Sequence, residues 1–339
     1  MRRKWIFLVA LVVLASGARA QKVSKVGTTA APFLNIPVGA RAVGMGGAFV
    51  SVADDATALY WNPAGLAKVD ASQAVFVHTN WIADINFDFA GVALNLGPAG
   101  VLGLHATFLT MGEMERTTEV YPEGTGERFS AGSYAFAATY ARALTDRFSI
   151  GANVKYVREY ILHSSAQGVA LDIGTHFVTQ FRGLTLGAMI SNFGTKMRMM
   201  GRDVLVQHDI DPTRHGNNDR INADLETDAY DMPLMLRVGV SMDVLRGMEN
   251  HSLVLAVDAA HPSDNVEFVN LGAEYVLMKM FALRAGYSSL FSRDSEQGLT
   301  FGAGLNYRVF GNFSVRADYA YQSFGRFNNV QKVSLGIQF

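Results

Sequence analysis

Eight histidines stand at positions 78, 105, 163, 176, 208, 215, 251 and 261, and none of them falls in the H-E-x-x-H spacing that holds a catalytic zinc. No Gly-x-Ser-x-Gly elbow presents a nucleophilic serine. A Ser-His-Asp set is assembled by folding, so spacing alone is silent on it. Gly44-Met-Gly-Gly47 has the small residues of a phosphate loop but lacks the Gly-Lys-Ser/Thr ending and a βαβ unit around it, so close packing is the better reading. The pair Asp54-Asp55 has the chemistry to hold a cation or to cap a short helix over 53–61, and capping is the commoner use. Asp209, Asp211, Asn217, Asn218 and Asp219 are oxygen donors without the spacing of a calcium loop. With zero cysteines there is no thiol chemistry. No reaction centre, cofactor or metal is expected, and the chain reads as a non-enzyme.

The remaining charges have a different order. Lys155, Asp172, Arg237, Asp258, Glu274, Arg284, Arg316 and Asp318 each lie on the less apolar face of a stretch that alternates with period two. In 313–321, for example, Phe313, Val315, Ala317, Tyr319 and Tyr321 share one face, and Arg316 and Asp318 share the other. The last stretch repeats the pattern, with Val333, Leu335, Ile337 and Phe339 opposite Lys332, Ser334 and Gly336. Such an edge is adhesive unless another strand closes it.

Alternation bounded by turns recurs about fourteen times, near 72–82, 86–96, 100–111, 130–143, 147–160, 166–179, 183–193, 232–245, 250–260, 266–278, 280–291, 296–308, 312–323 and 331–339. An even count of segments this long suits a transmembrane antiparallel β-barrel, apolar outside and polar inside. The eight charges then form a lumen network. Short connections such as 97–99, 144–146 and 180–182 alternate with longer ones at 112–129 and 194–231, so the long loops face outward. Parity breaks twice. Phe87 and Phe89 share one face while Val92 and Leu94 share the other, which predicts a bulge near Gly91; a similar switch occurs at Phe268–Val269. The 194–231 loop carries Met197, Met199 and Met200, suited to an adaptable contact, and reads as a lid or docking surface.

Composition agrees: 49% hydrophobic, 17% charged and 33 glycines fit a barrel better than a soluble domain. A net charge of −1 gives no reason to expect nucleic acid. Residues 1–20 read as a cleavable secretory signal, with Arg2, Arg3 and Lys4, an apolar run, and Ala18-Arg19-Ala20 as the cleavage site near Ala20. The expected division is signal peptide 1–20, amino-terminal segment 21–71 and barrel 72–339.

Within 21–71 the alternation is absent. The stretch Gly39-Ala-Arg-Ala-Val-Gly-Met-Gly-Gly-Ala-Phe-Val-Ser-Val-Ala-Asp-Asp-Ala-Thr-Ala-Leu-Tyr-Trp-Asn-Pro-Ala-Gly-Leu66 resembles the opening of the PorV/PorQ family, outer-membrane proteins related to the long-chain fatty-acid transporters of the FadL family. The resemblance implies a fourteen-stranded barrel whose amino-terminal segment sits inside as a plug. The plug motif is then Gly39, Arg41, Gly44, Gly46, Gly47, Asp54, Asp55, Asn62, Pro63 and Gly65. It also implies a role with type IX secretion components and cargo at the cell surface, or alternatively transport of a hydrophobic ligand, for which the resemblance to the fatty-acid transporters makes the bulge at Gly91 a lateral break in the wall. Outer-membrane lipid and the barrel-assembly machinery are the other expected partners, the latter reading Phe339 as an insertion signal.

Overall fold

The computed structural model describes residues 25–339 except 217, 293, 294, 312 and 328, so the expected signal segment 1–20 and Asn217 lie outside the described residues. Fourteen long strands make the wall: β1 (Gln73–Asn80), β2 (Asn86–Asn95), β3 (Val101–Thr110), β4 (Ala131–Ala143), β5 (Phe148–Ile161), β6 (Ser164–Val178) and β7 (Thr185–Gly194) come first. They are followed by β8 (Met235–Asp243), β9 (His251–Pro262), β10 (Phe268–Leu277), β11 (Phe281–Leu290), β12 (Leu299–Phe310), β13 (Phe313–Ser323) and β14 (Asn329–Gln338). Each pairs antiparallel with the next, and β14 returns to β1, from Gln73 opposite Gln338 to Asn80 opposite Gln331. The adhesive edge of the last strand is thereby closed, as the alternation requires. No helix among the described residues is long and apolar enough to cross a membrane; the strands do so instead.

The parity read from sequence holds on β12, β13 and β14. Leu299, Phe301, Leu305 and Tyr307 are 43–55% exposed on β12 whereas Thr300 between them is fully buried. Val333, Leu335 and Ile337 point outward, and Lys332 and Ser334 point inward. An apolar outer surface of this extent is unstable in water and stable against hydrocarbon, so the wall is that of a membrane-spanning barrel.

The expected bulge at Gly91 is absent. β2 pairs residue for residue with β1 and β3 through Gly91, so there is no break in the ladder there. Phe87 and Phe89 are fully buried on the inner face with Gly91 and Ala93, while Val92 and Leu94 face outward. The aromatics are inside because an apolar segment fills the space they face. The switch at Phe268–Val269 does mark an irregularity: the β10–β11 register shifts between Val269 and Leu271, with Ser289 in a left-handed conformation (φ 59°).

The connection between β3 and β4 carries a short ladder, Met114–Glu115 with Arg128–Phe129. That between β7 and β8 carries a hairpin, Leu205–His208 with Ile221–Asp224, and a segment, Met200–Gly201, that pairs with Ser164–Ser165 at the end of β6. These two long loops emerge from the end opposite to where β1 begins, and that end is the outer one. Met197 is buried at 1% exposure and only Met200 of the three methionines is exposed, so the expected adaptable methionine contact shrinks to that one residue.

Candidate functional site

Residues 31–69 are almost all buried, and their partners are the inward-facing residues of the wall. The segment contains two short helices, α1 (Ala40–Gly44) and α2 (Ala58–Trp61), joined by turns of small residues. α2 is shorter than the helix expected over 53–61. Neither acid caps it; instead Asp55 Oδ1 accepts from the N–H and hydroxyl of Thr57, at the turn before α2. Asn62 then leaves helical geometry ahead of Pro63 and accepts from the Ala64 N–H, ending α2 and starting a 3-10 turn.

Arg41 on α1 is the centre of the charged network. Its Nε and Nη2 donate to the two oxygens of Glu274 on β10 at 2.9 and 2.7 Å, a bidentate pair. Its Nη1 donates to Asp55 at 2.8 Å and to Asp54. Glu274 also accepts from Arg284 on β11 at 2.6 Å, and Arg284 donates to Asp318 on β13 at 2.7 Å. Arg316 on β13 closes the circuit to Asp55 at 2.9 Å. The acidic pair Asp54-Asp55 therefore holds guanidinium groups of the segment and the wall.

The other charges gather on the opposite wall. Lys155 pairs with Asp172 at 2.8 Å, and Asp172 also accepts from Asn153 and from the Asn192 N–H. Asp258 Oδ2 accepts from the backbone N–H groups of Phe49 and Val50 at 2.7 and 2.8 Å. Arg237 stacks over Trp61, 5.2 Å from the ring centroid, while the Trp61 indole donates to the Val38 carbonyl. Sequence reading placed all eight wall charges on the correct face. It also put Lys332 on that face but did not read its partners: the Nζ donates to the Pro37 carbonyl at 2.6 Å and lies 5.3 and 5.6 Å from the centroids of Trp81 and Phe87. Phe87 on the inner face was the signal for it.

Glycines allow the backbone of the segment to touch the backbone of the wall. Gly46 (φ 67°) lies against β10 and β11, and a Cβ added at Gly286 would stand 2.2 Å from Gly46 N. Gly65 faces the Ala53 carbonyl, where a Cβ would stand 2.0 Å from the oxygen. Gly44, Gly39 and Gly47 meet Gly302, Thr57 and Asn270 in the same close manner. Gly91, in place of the lateral break, is the space into which Leu59 fits, with a Cβ only 2.6 Å from Leu59 Cδ1. Gly286→Ala is expected to cost about 1–3 kcal/mol, since both partners are backbone. Gly336→Ala, whose nearest neighbour would be 3.7 Å away, should stay within about 0.5 kcal/mol. Denaturant melts of the two variants check the contrast.

A cavity of about 380 Å³ remains at the inner end, lined by Arg41, Asp55, Lys68, Asn306, Arg316 and Asp318 among others. It is polar, and within it Arg41 and Arg316 are paired with Asp55.

A family profile for the type IX secretion system protein PorV matches residues 18–204, more than half of the chain. No curated protein matches the sequence. Among solved structures, a FadL homologue from Pseudomonas aeruginosa superposes with a TM-score of 0.56 at 13% identity, covering 90% of this chain and 98% of that one. The toluene transporter TodX of Pseudomonas putida gives 0.54 at 13% identity, covering 88% and 96%. TbuX, a toluene transporter of Ralstonia pickettii, gives 0.52 at 11% identity, covering 88% and 97%. At such identities these neighbours show the shared barrel fold alone. The profile match includes the stretch from Gly39 to Leu66 and strands β1 to β7, and on that ground the chain belongs to the PorV family of type IX secretion system proteins.

Proposed function

We propose that this protein serves type IX secretion as a binding protein without bond chemistry, receiving or anchoring exported proteins at the cell surface. The observation that carries this reading is the family match over residues 18–204. The interior supports it further, because Arg41, Glu274, Arg284 and Asp318 are committed to one another across the segment and the wall and so are not offered to a substrate. The segment 21–71 acts as a plug in this reading, and the outer loops 112–129 and 194–231 are where cargo or secretion components dock. Deleting 202–226 removes the outer hairpin and spares buried Met197. The barrel should still show heat-dependent gel mobility, while co-purifying secretion partners should be lost. Retention of those partners contradicts the reading.

The second reading, transport of hydrophobic small molecules, has the fold of the toluene transporters in its favour. Its test is the same extraction: a tightly held apolar small molecule, with no secretion partner, favours it.

Export by the signal 1–20, with a mature start at Gln21, completes the proposal and is checked by sequencing the amino terminus of the membrane-extracted protein. Phe339, half exposed, with its N–H bonded to the Ser72 carbonyl at 2.9 Å, is the proposed signal for the barrel-assembly machinery. Truncation at Gln338 is expected to reduce the inserted fraction several-fold, measured by membrane fractionation; normal insertion contradicts it.

A further inference from the structure

Arg158 is an anomaly of the outward face. It lies on β5 between outward-facing Tyr156 and Tyr160, three residues before the strand ends at Ile161. β5 and β6 are joined by the two-residue turn Leu162–His163, which the β7–β8 loop meets through Asp203. Three residues of strand span about 10 Å, so Arg158 sits within about 10 Å of the outer end of the wall.

Among the described residues Arg158 meets no carboxylate. Its two Nη atoms reach Tyr134 Oη and Ser165 Oγ at 3.4 Å, the long limit of a hydrogen bond, and its buried Nε has no acceptor. An arginine has five donors in a planar fork, so this one is under-used. By contrast, His78 and Asp88 on the outward face satisfy each other at 2.7 Å.

Beside Arg158 is a cavity of about 370 Å³, lined also by Tyr134, Tyr160, Leu162, His163 and Ser165. The nearby acid, Asp203, is committed to the turn. Its slight desolvation is outweighed by hydrogen bonds from the His163 N–H, the His163 ring and Ser164, which hold its carboxyl below the usual range. On the inner-leaflet side of the cavity the wall presents Phe136, Val154, Tyr156 and Val169, all 39–54% exposed. A cationic fork with hydroxyl donors above a strip of apolar side chains matches a phosphate ester that carries acyl chains.

We propose that Arg158, with Tyr134, Tyr160 and Ser165, forms a binding site for the headgroup phosphate of an outer-leaflet lipid. The site fixes the rotational position of a lipid on the barrel beside the long β7–β8 loop, whose Met200–Gly201 pairs with Ser164–Ser165.

The test is native mass spectrometry of the full chain in detergent, titrated separately with bisphosphorylated lipid A, its dephosphorylated form and inorganic phosphate. Bound lipid A is expected on the wild type, weakened at least about tenfold by Arg158→Gln, the effect of one lost charge-assisted hydrogen bond. Arg142→Gln, outward and exposed at the opposite end of β4, should bind as the wild type does. The dephosphorylated lipid should bind as weakly to the wild type as lipid A does to Arg158→Gln. Equal binding by Arg158→Gln, equal binding of the dephosphorylated lipid, or comparable affinity for inorganic phosphate alone overturns the proposal. So does an equal loss in Arg142→Gln. If Arg158→Gln lacks the heat-dependent mobility of a folded barrel, Arg158→Lys reads the same comparison. It is expected to bind several-fold more weakly than the wild type and still to require the phosphate; loss of that requirement overturns the proposal.

Discussion

Replacing Arg41 by alanine is expected to release the amino-terminal segment from the wall while leaving the fourteen-stranded ladder paired. The guanidinium is bidentate to Glu274 and also bonded to Asp55, and both carboxylates are buried. Its removal leaves Glu274 with Arg284 and Asp55 with Arg316, each carboxylate short of one cation. Breaking a buried pair by deleting one partner costs about 3–5 kcal/mol, because the remaining charge is left under-compensated. The wall is stabilised by its own backbone ladder, so the cost falls on docking of the segment. In Arg41→Ala, limited proteolysis should cut within 25–71 at protease levels that spare the wild type, with heat-dependent mobility retained. Arg41→Lys should fall between the two, since an ammonium cannot replace a bidentate fork. Equal protease resistance in Arg41→Ala and wild type contradicts the assignment.

The second large effect concerns the outer face. Leu305 is 43% exposed midway along β12, flanked by Phe281 on β11 and Ala317 on β13. Leu305→Arg places a charge against hydrocarbon and should cost about 2–4 kcal/mol. Asn306→Arg faces the inner cavity, where Asp54, Asp55, Asp70 and Asp318 compensate an added cation, although Arg316 lies opposite in register. It should be markedly milder. Equal shifts in urea-unfolding midpoint for the two variants would contradict the face assignment.

The wall was legible because period-two alternation survives wherever one side meets lipid and the other meets charge. β12, β13 and β14 are read correctly for that reason. β2 was misread because Phe87 and Phe89 face inward: an aromatic inside a barrel breaks the expected pattern when the interior holds an apolar segment and a cation such as Lys332. The Gly91 bulge was an attempt to restore parity that the chain never lost. Arg41 was recognised only as a motif residue, because its decisive partner Glu274 is 233 positions away and no local spacing records such a pair. Asp54 and Asp55 were read as caps by the same local logic, yet Arg316 comes to Asp55 from 261 positions away. The wall glycines became intelligible only once the segment's backbone was seen against them, as at Gly286 and Gly91.

The absence of cysteine permits a direct measurement on the whole account. Single cysteines introduced one at a time at 299–307, spin-labelled and reconstituted in bilayers, report contact with lipid through oxygen and contact with polar surroundings through a soluble nickel chelate. Oxygen accessibility should peak at positions 299, 301, 303, 305 and 307 and fall at 300, 302, 304 and 306. Maxima at the even positions, or no alternation, would contradict a wall that turns its apolar rows to lipid and its charged rows to the amino-terminal segment.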